Sequence, residues 1–244
     1  GVRVECRAMN ILAFDSCFAA CSVAVGRGIG TERAESDDYF EPMERGHAER
    51  LLPMIAEALA AARLTARQLD RIAVTVGPGT FTGARIGIAA ARALALSSGA
   101  STVGASSLAV MAEHAAFSLA EEREGRALIV AVDARRGEVY AQLFGDDGGQ
   151  PEGPPAALTF VGAATLGGQR PLVVVGSGAE MVAAEARRAG RDAIARLPGL
   201  LPDAGDLLWL AARTAPSERA LTPLYLRPAD AKPQMGKSIE RAPS

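Results

Sequence analysis

The chain has 244 residues, which is enough for one large domain or for two small ones. Its formal net charge of -2 gives no broad basic field, so nucleic-acid binding by this chain alone is disfavoured. No apolar run approaches the roughly 18 residues of a membrane span, and lysines occur only near the end of the sequence, so a Gly-Lys phosphate-binding loop is excluded. The first residues do not resemble a secretory signal, and a cytoplasmic location is expected.

The first half of the chain predicts a β-hairpin followed by helices that alternate with strands. Residues 10–26 have the apolar, then alternating pattern of a hairpin, and its first strand ends at Asp15. Pro53 is expected to bend or delay the first helix. The further elements are a strand near 31–36, a helix over about 47–63, a strand at 71–76, a loop at 77–83, a helix at 84–98, a strand near 101–105 and a helix over about 106–121.

The second half repeats this plan. Residues 127–145 form an apolar strand ending at Asp133, a turn that contains Gly137, and a second alternating strand. A Pro/Gly-rich connection at 148–155 leads to a strand at 172–176 and to helices near 179–188 and 203–214. The pattern predicts an α/β protein built from an extension at 1–8, an N-terminal subdomain at 9–105, a C-terminal subdomain at 106–228 and a disordered tail at 229–244.

The most specific segment is the loop 77–83, GPGTFTG, which lies between a predicted strand and a predicted helix. Glycines allow backbone amides to converge, and a helix start adds a positive dipole, so such a loop can hold an anion. A tight turn capped by Thr80 or Thr82 is an equally good interpretation. Gly79 is predicted either to have a positive φ or to lie too close to a neighbouring segment for a Cβ atom.

Asp15 and Asp133 each end a strand directly before a hairpin turn. ATPases of the actin and sugar-kinase type keep their metal and phosphate aspartates at this position. The turn after Asp15, residues 16–20, has no glycine and would hold phosphate poorly, and the glycines elsewhere also fit ordinary turns. The candidate residues of a vestigial nucleotide cleft are Asp15, Gly77, Gly79, Thr80, Asp133, Gly176 and Gly178.

The histidines and cysteines predict neither a metal site nor a catalytic centre. His47 and His114 are far apart and have no His or Cys at i+3 or i+4, and no Ser-His-Asp spacing occurs. Cys6, Cys17 and Cys21 lack zinc spacing and a Cys-x-x-Cys pair, so they are predicted to be reduced structural thiols. A site made of paired carboxylates stays open at this point.

Several segments together closely resemble the TsaB family, also called YeaZ. They are ILAFDS, HAERLLPMI, GPGTFTGARIG, VGASSLAVMA, VDARRGEVYA and PLYLRP, in this order from about residue 10 to 228. The resemblance implies an actin-like ATPase fold, which is ribonuclease H-like, with two similar subdomains. This agrees with the repeated hairpin.

The resemblance also implies a non-catalytic subunit that dimerises and activates the machinery installing threonylcarbamoyl on the adenosine beside the anticodon of certain tRNAs. The family is similar to the catalytic subunit TsaD, which carries a His-x-x-x-His metal pair. The corresponding positions here fall on Ser107 and Met111, and neither side chain replaces an imidazole ligand. The implied partners are TsaD and the ATPase TsaE, with homodimers when TsaD is missing. ATP is handled by the partners, tRNA is contacted only through the complex, and no cofactor of its own is expected.

We predict a partner surface on the helices at about 47–63 and 84–98. Its residues are Leu51, Ile55 and Leu59 in an apolar row on the first helix, and Gly83, Gly87, Ala91 and Ala95 in a ridge without bulk on the second. Two such helices from each subunit fit a four-helix interface. The alternative is that both rows pack on their own sheet.

A competing function is that of an enzyme with the same fold. An ATP-dependent phosphotransferase and a glycoprotease-like metallopeptidase are the two candidates, and fold alone decides neither. The glycine-free first turn argues against the phosphotransferase, and the missing histidine pair argues against the peptidase.

Overall fold

The computed structural model describes residues 8–145 and 150–227. The predicted tail at 229–244 lies outside the described residues, as does the predicted extension at 1–8 with Cys6, apart from Ala8. Within the described ranges, no helix has the length and apolar character needed to cross a lipid bilayer.

The first half contains a five-stranded sheet and three helices. Their bounds are β1 (Met9–Asp15), β2 (Ala20–Ile29), β3 (Glu35–Pro42), α1 (His47–Ala61), β4 (Arg71–Thr75), α2 (Phe81–Ser98), β5 (Ser101–Ala105) and α3 (Ser107–Ser118). The strands lie in the order β3-β2-β1-β4-β5. β2 is antiparallel to both of its neighbours, whereas β1, β4 and β5 are parallel, because the helical crossovers return the chain to the same edge.

The second half has the same composition of elements. Their bounds are β6 (Ala127–Asp133), β7 (Glu138–Phe144), β8 (Ala156–Thr159), α4 (Phe160–Ala164), β9 (Leu172–Val175), α5 (Ala179–Arg188), β10 (Ala193–Arg196) and α6 (Ala204–Arg213). The strand order β10-β9-β6-β7-β8 reproduces that of the first sheet, with β7 antiparallel to its neighbours. A duplicated sheet of this order is the actin-like, ribonuclease H-like fold, so the predicted fold class is confirmed.

Each sheet is covered by helices on both faces. Successive residues of a strand point to opposite faces, and along β1 the residues Leu12 and Phe14 pack with α1 and α2, while Ile11 and Ala13 pack with α6. In the second half, α4 and α5 cover one face of the sheet and α3 covers the other. Strands buried on both faces explain the nearly continuous apolar runs in the sequence.

The last helix of each half packs on the sheet of the other half. α3 follows the strands of the first half but packs on the second sheet, and α6 follows the second half but packs on the first sheet through Leu207 and Leu208. The two helices contact each other, and His114 Nδ1 lies 3.1 Å from Asp206 Oδ2. The predicted C-terminal subdomain at 106–228 contains both α3 and α6, and α6 packs on the first sheet.

Several element bounds differ from those predicted. β2 runs on to Ile29, so β3 begins at Glu35 and not near residue 31. α1 is continuous through Pro53, and α2 begins three residues earlier than predicted because the Thr80 hydroxyl accepts a hydrogen bond from the Gly83 amide at 3.1 Å. The short elements β8, α4 and β10 were not predicted.

Candidate functional site

The loop 77–83 packs directly on the first hairpin turn. The Thr80 amide donates to the Cys17 carbonyl at 2.7 Å, and the Ser16 hydroxyl donates to the Gly83 carbonyl at 2.9 Å. These contacts enclose Asp15, which has no exposed surface. Asp15, a candidate residue of the predicted nucleotide cleft, is therefore covered by the protein's own loop.

The Asp15 carboxylate is only partly satisfied. Its Oδ1 accepts hydrogen bonds from the Thr75 hydroxyl and from the Cys17 amide, the latter at 3.2 Å. Its Oδ2 has no hydrogen-bond partner among the described residues. Burial raises the pKa of Asp15 to about 6, and the hydrogen bonds from Thr75 and Cys17 oppose that rise without cancelling it.

We expect Asp15→Asn to remove a pH dependence of stability. Because the folded chain holds this proton more tightly than the unfolded chain, the free energy of unfolding falls as pH rises from about 4 to about 6 and is level above that range. The raised pKa corresponds to about 1–3 kcal/mol. In urea unfolding between pH 4 and pH 8, the free energy of unfolding of Asp15→Asn should therefore increase relative to that of the wild type as pH rises.

Asp133→Asn is the matched control for this experiment, because Asp133 ends the equivalent strand of the second half but is exposed. Parallel stability profiles for Asp15→Asn and wild type would contradict the assignment of the pH dependence to Asp15.

The two cysteines in the described ranges are buried thiols. Cys17 and Cys21 are both free, and Cys17 Sγ lies 3.3 Å from the Thr75 hydroxyl. Burial raises the pKa of both thiols, that of Cys21 to about 12. Since the thiolate is the reactive form, these side chains are unreactive, in agreement with their predicted structural role.

Gly77 and Gly79 of the loop are required for different structural reasons. Gly77 has a φ of 104°, whereas Gly79 has no positive φ. A Cβ atom on Gly79 would lie 2.5 Å from the Cys17 carbonyl oxygen. Of the two alternatives predicted for Gly79, close approach to a neighbouring segment is therefore the correct one.

The residues predicted for a nucleotide cleft do not share one cavity. Gly79, Thr80 and Asp133 line the space between the halves, while Asp15 is enclosed beneath the loop. Gly77 also lies outside that lining, and a Cβ on it would be 3.0 Å from the Leu224 carbonyl oxygen.

Gly176 and Gly178 serve packing in the second half. A Cβ on Gly176 would be 2.5 Å from the Ala131 carbonyl oxygen, and a Cβ on Gly178 would be 2.5 Å from Val139 Cγ1. Both glycines therefore let the start of α5 approach β6 and β7 closely.

A cavity of about 680 Å³ lies between the two halves. The first half contributes the hairpin turn with Phe18 and the loop 78–81, and the second half contributes the turn 133–135 with Tyr140. The remaining wall is the C-terminal segment 224–227. The sequence analysis did not predict that this segment lines a cavity, although PLYLRP is one of the segments that resemble the TsaB family.

Ser107 and Met111, which the resemblance places at the metal-pair positions, make packing contacts. The Ser107 hydroxyl donates to the Pro78 carbonyl at 2.8 Å, and Met111 is buried against the second sheet. Met111 Cε also lies 3.2 Å from the place of a Cβ on Gly176. Among the described residues, no three His, Cys, Asp or Glu side chains converge.

The predicted partner rows lie inside the chain. Leu51, Ile55 and Leu59 belong to the core between α1, α2 and the first sheet. Gly83, Gly87 and Ala91 are buried on the inner side of α2, and Ala95 is half-buried. The assignment of these side chains to a partner surface is therefore wrong, because the rows pack on their own sheet.

The same two helices carry a second pair of rows that faces outward. On α1 the exposed row is Leu52, Ala56 and Ala60, and on α2 it is Ala89, Ala93 and Leu96. Leu52 is 55% exposed and Leu96 is 90% exposed. The rows have the four-residue or three-residue spacing that aligns side chains on a helix. These two rows of alanines and leucines are called the outer face, and the exposed Arg92 lies beside the row of α2.

Comparison with known proteins finds relatives along most of the chain. A family model described as "TsaD: tRNA N6-adenosine threonylcarbamoyltransferase" matches residues 41–150. The "tRNA threonylcarbamoyladenosine biosynthesis protein TsaB" of Escherichia coli is 39% identical over 142 residues, which are 58% of this chain and 58% of that protein. The chain thus spans little more than half the length of this relative. An uncharacterized protein of Mycobacterium tuberculosis is 36% identical over 78% of this chain and 79% of its own length.

Solved structures match over a greater length. A structure described as "YeaZ from Pseudomonas aeruginosa" has a TM-score of 0.71 and 30% identity to this chain. The superposition covers 89% of this chain and 100% of the solved chain. A second structure, described as "an uncharacterized protein with similarity to peptidase YEAZ from Pseudomonas aeruginosa", has a TM-score of 0.73 and 31% identity. It covers 90% of this chain and 100% of that chain.

Proposed function

Because the chain belongs to the TsaB (YeaZ) family, we propose that it is a subunit of the machinery that makes threonylcarbamoyladenosine in tRNA, where it binds and activates TsaD. The identity with TsaB of Escherichia coli is the observation that carries this proposal. The match of residues 41–150 to the TsaD model supports it further, since that stretch contains both helices of the outer face. Two related chains can pair through equivalent surfaces, as subunits of a symmetric dimer do.

The outer face of α1 and α2 is the surface that we assign to this partner. Its exposed rows combine leucines with alanines, so another pair of helices can approach closely and still bury apolar surface. The arrangement keeps the four-helix interface predicted from the sequence. It uses the opposite side of each helix, because the inner side is occupied by the chain's own core.

The proposal includes a non-catalytic role for this chain. Asp15 is enclosed by the loop 77–83, and the metal-pair positions are held by Ser107 and Met111 in packing contacts. Neither a phosphotransferase nor a metallopeptidase is supported by these side chains. TsaE is proposed to join the complex and to handle ATP with TsaD, and a homodimer is proposed for the isolated chain. Contact with tRNA in the cytoplasm is proposed only through the complex.

Ala89→Arg is expected to weaken the binding of TsaD and the activation that depends on it. Ala89 is exposed on α2, so the variant should fold, but a long charged side chain on the outer face blocks close helix approach. We expect the dissociation constant for TsaD to rise at least about tenfold, which equals about 1.4 kcal/mol. Titration calorimetry measures the affinity, and threonylcarbamoyl transfer to tRNA measures the activation.

Met181→Arg is the control, because Met181 is 51% exposed on α5, outside the proposed surface. A folded Ala89→Arg chain that binds TsaD as the wild type does would place the interface elsewhere. A wild-type chain that neither binds TsaD nor stimulates transfer would contradict the proposed function itself.

A further inference from the structure

The C-terminal segment is attached to the first half up to Tyr225. Leu221 is buried in the core beneath α2, and its carbonyl accepts a hydrogen bond from Arg92. The Leu224 amide donates to the Val76 carbonyl at 2.7 Å. The segment therefore follows the edge of the first sheet as it approaches the cavity between the halves.

Tyr225 forms the last contact with the first half. Its ring stacks on Phe81 with a centroid distance of 5.3 Å, and its hydroxyl accepts a hydrogen bond from Arg85 Nε at 2.8 Å. The Arg85 guanidinium in turn lies 3.6 Å from the centroid of the Phe81 ring. Stacked rings and a guanidinium over a ring are favourable contacts even at a partly exposed site. Tyr225 is thus fixed to the start of α2.

Arg227, two residues later, is fixed to the second half. Its guanidinium donates to the Ala134 carbonyl at 2.7 Å and to the Arg135 carbonyl at 3.3 Å, and it pairs with Glu138. It also lies 5.7 Å from the centroid of the Tyr140 ring. Charge-assisted hydrogen bonds of this kind are stronger than neutral ones. All of these partners lie on the second hairpin or its turn.

We propose that the segment Leu224–Arg227 is a strap that fixes the width of the cleft between the two halves, with Tyr225 and Arg227 as its anchors. Two residues of chain span at most about 7 Å, so the halves cannot separate here unless one anchor is released. The strap lines the cavity together with both halves, which places it where an opening movement would pull on it. In the described residues, the chain also passes from one half to the other at 105–107, before α3, and at 197–204, before α6. These two connections act as the hinge when the strap is released.

The strap is tested on the isolated chain, so no partner is required. Spin labels at Ser36→Cys on β3, outside the outer face, and at Met181→Cys on α5 report the distance between the halves in a Cys6→Ser background, where Cys17 and Cys21 are buried. We expect Arg227→Ala to broaden the distance distribution and to shift it to longer values. Arg219→Ala, an exposed arginine earlier in the same segment, should leave the distribution unchanged.

Tyr225→Ala releases the opposite anchor and is expected to broaden the distribution in the same way, while Arg227→Lys keeps the charge and should give an intermediate result. Hydrogen exchange of the Ala134 and Glu138 amides in the second hairpin turn should become about tenfold faster in Arg227→Ala. Circular dichroism verifies that each variant is folded. Folded Arg227→Ala and Tyr225→Ala chains with wild-type distance distributions would overturn the proposal.

Discussion

Gly83→Ala is expected to destabilise the chain by about 3 kcal/mol or more, although alanine is the better helix former. A Cβ atom at this position would lie less than 3.0 Å from the Ser16 carbonyl oxygen. That oxygen belongs to the backbone of the first hairpin turn, which is held in turn by Thr80 and by the Ser16 hydroxyl, so it cannot move aside cheaply. The cost of overpacking therefore exceeds the gain in helix propensity.

Gly162→Ala is a closely matched control. Gly162 occupies the same place in α4 as Gly83 does in α2, and its amide donates to the hydroxyl of a capping threonine, Thr159, at 3.1 Å. The nearest atom to a Cβ on Gly162 is that same hydroxyl at 3.3 Å. Urea unfolding should show a small change or a gain in stability for Gly162→Ala. Equal stabilities of the two variants would show that the loop and the hairpin turn are not packed as described.

Ala91→Arg is expected to unfold the chain or to lower its stability by at least about 4 kcal/mol. Ala91 has no exposed surface and lies on the inner side of α2, within the core of the first half. An arginine there adds a long side chain to a filled core and buries a charge without a partner. Thermal melting followed by circular dichroism measures the loss.

Ala89→Arg separates this effect from a general cost of arginine in α2. The two alanines are two residues apart on the same helix, so their side chains face different directions, and Ala89 is exposed. We expect wild-type melting for Ala89→Arg and loss of the folded signal for Ala91→Arg. A cooperative transition near the wild-type temperature in Ala91→Arg would restore the inner ridge as a candidate partner surface.

The candidate site could be predicted in part. Asp15 and Asp133 were identified because each ends an apolar strand before a hairpin turn, and this periodic signal is local in sequence. Their difference in burial was not predictable, since Asp15 is enclosed by a loop more than sixty residues further along the chain. The strap was also missed, because the contacts of Arg227 join it to residues about ninety positions earlier.

The choice of helix face shows the same limit. Both sides of α2 are rich in alanine, so composition does not tell which side is the inner one. The apolar row of α1 was recognised from the sequence, and it is buried between α2 and the first sheet. An apolar row on a helix usually packs in the protein's own core in this way. Only the packed structure shows that the small residues of the inner ridge bring α2 close to the hairpin turn and the strands.

The sequence by itself determined the α/β class, the duplicated plan of strands and helices and the likeness to one family, because periodicity and short motifs are properties of neighbouring residues. The tertiary structure decided which sheet receives α6, which rows of α1 and α2 remain outside, and how the segment after α6 joins the halves. These features depend on contacts between distant residues. The sequence of an amphipathic helix shows that its apolar side is buried, but it does not show which element packs on that side.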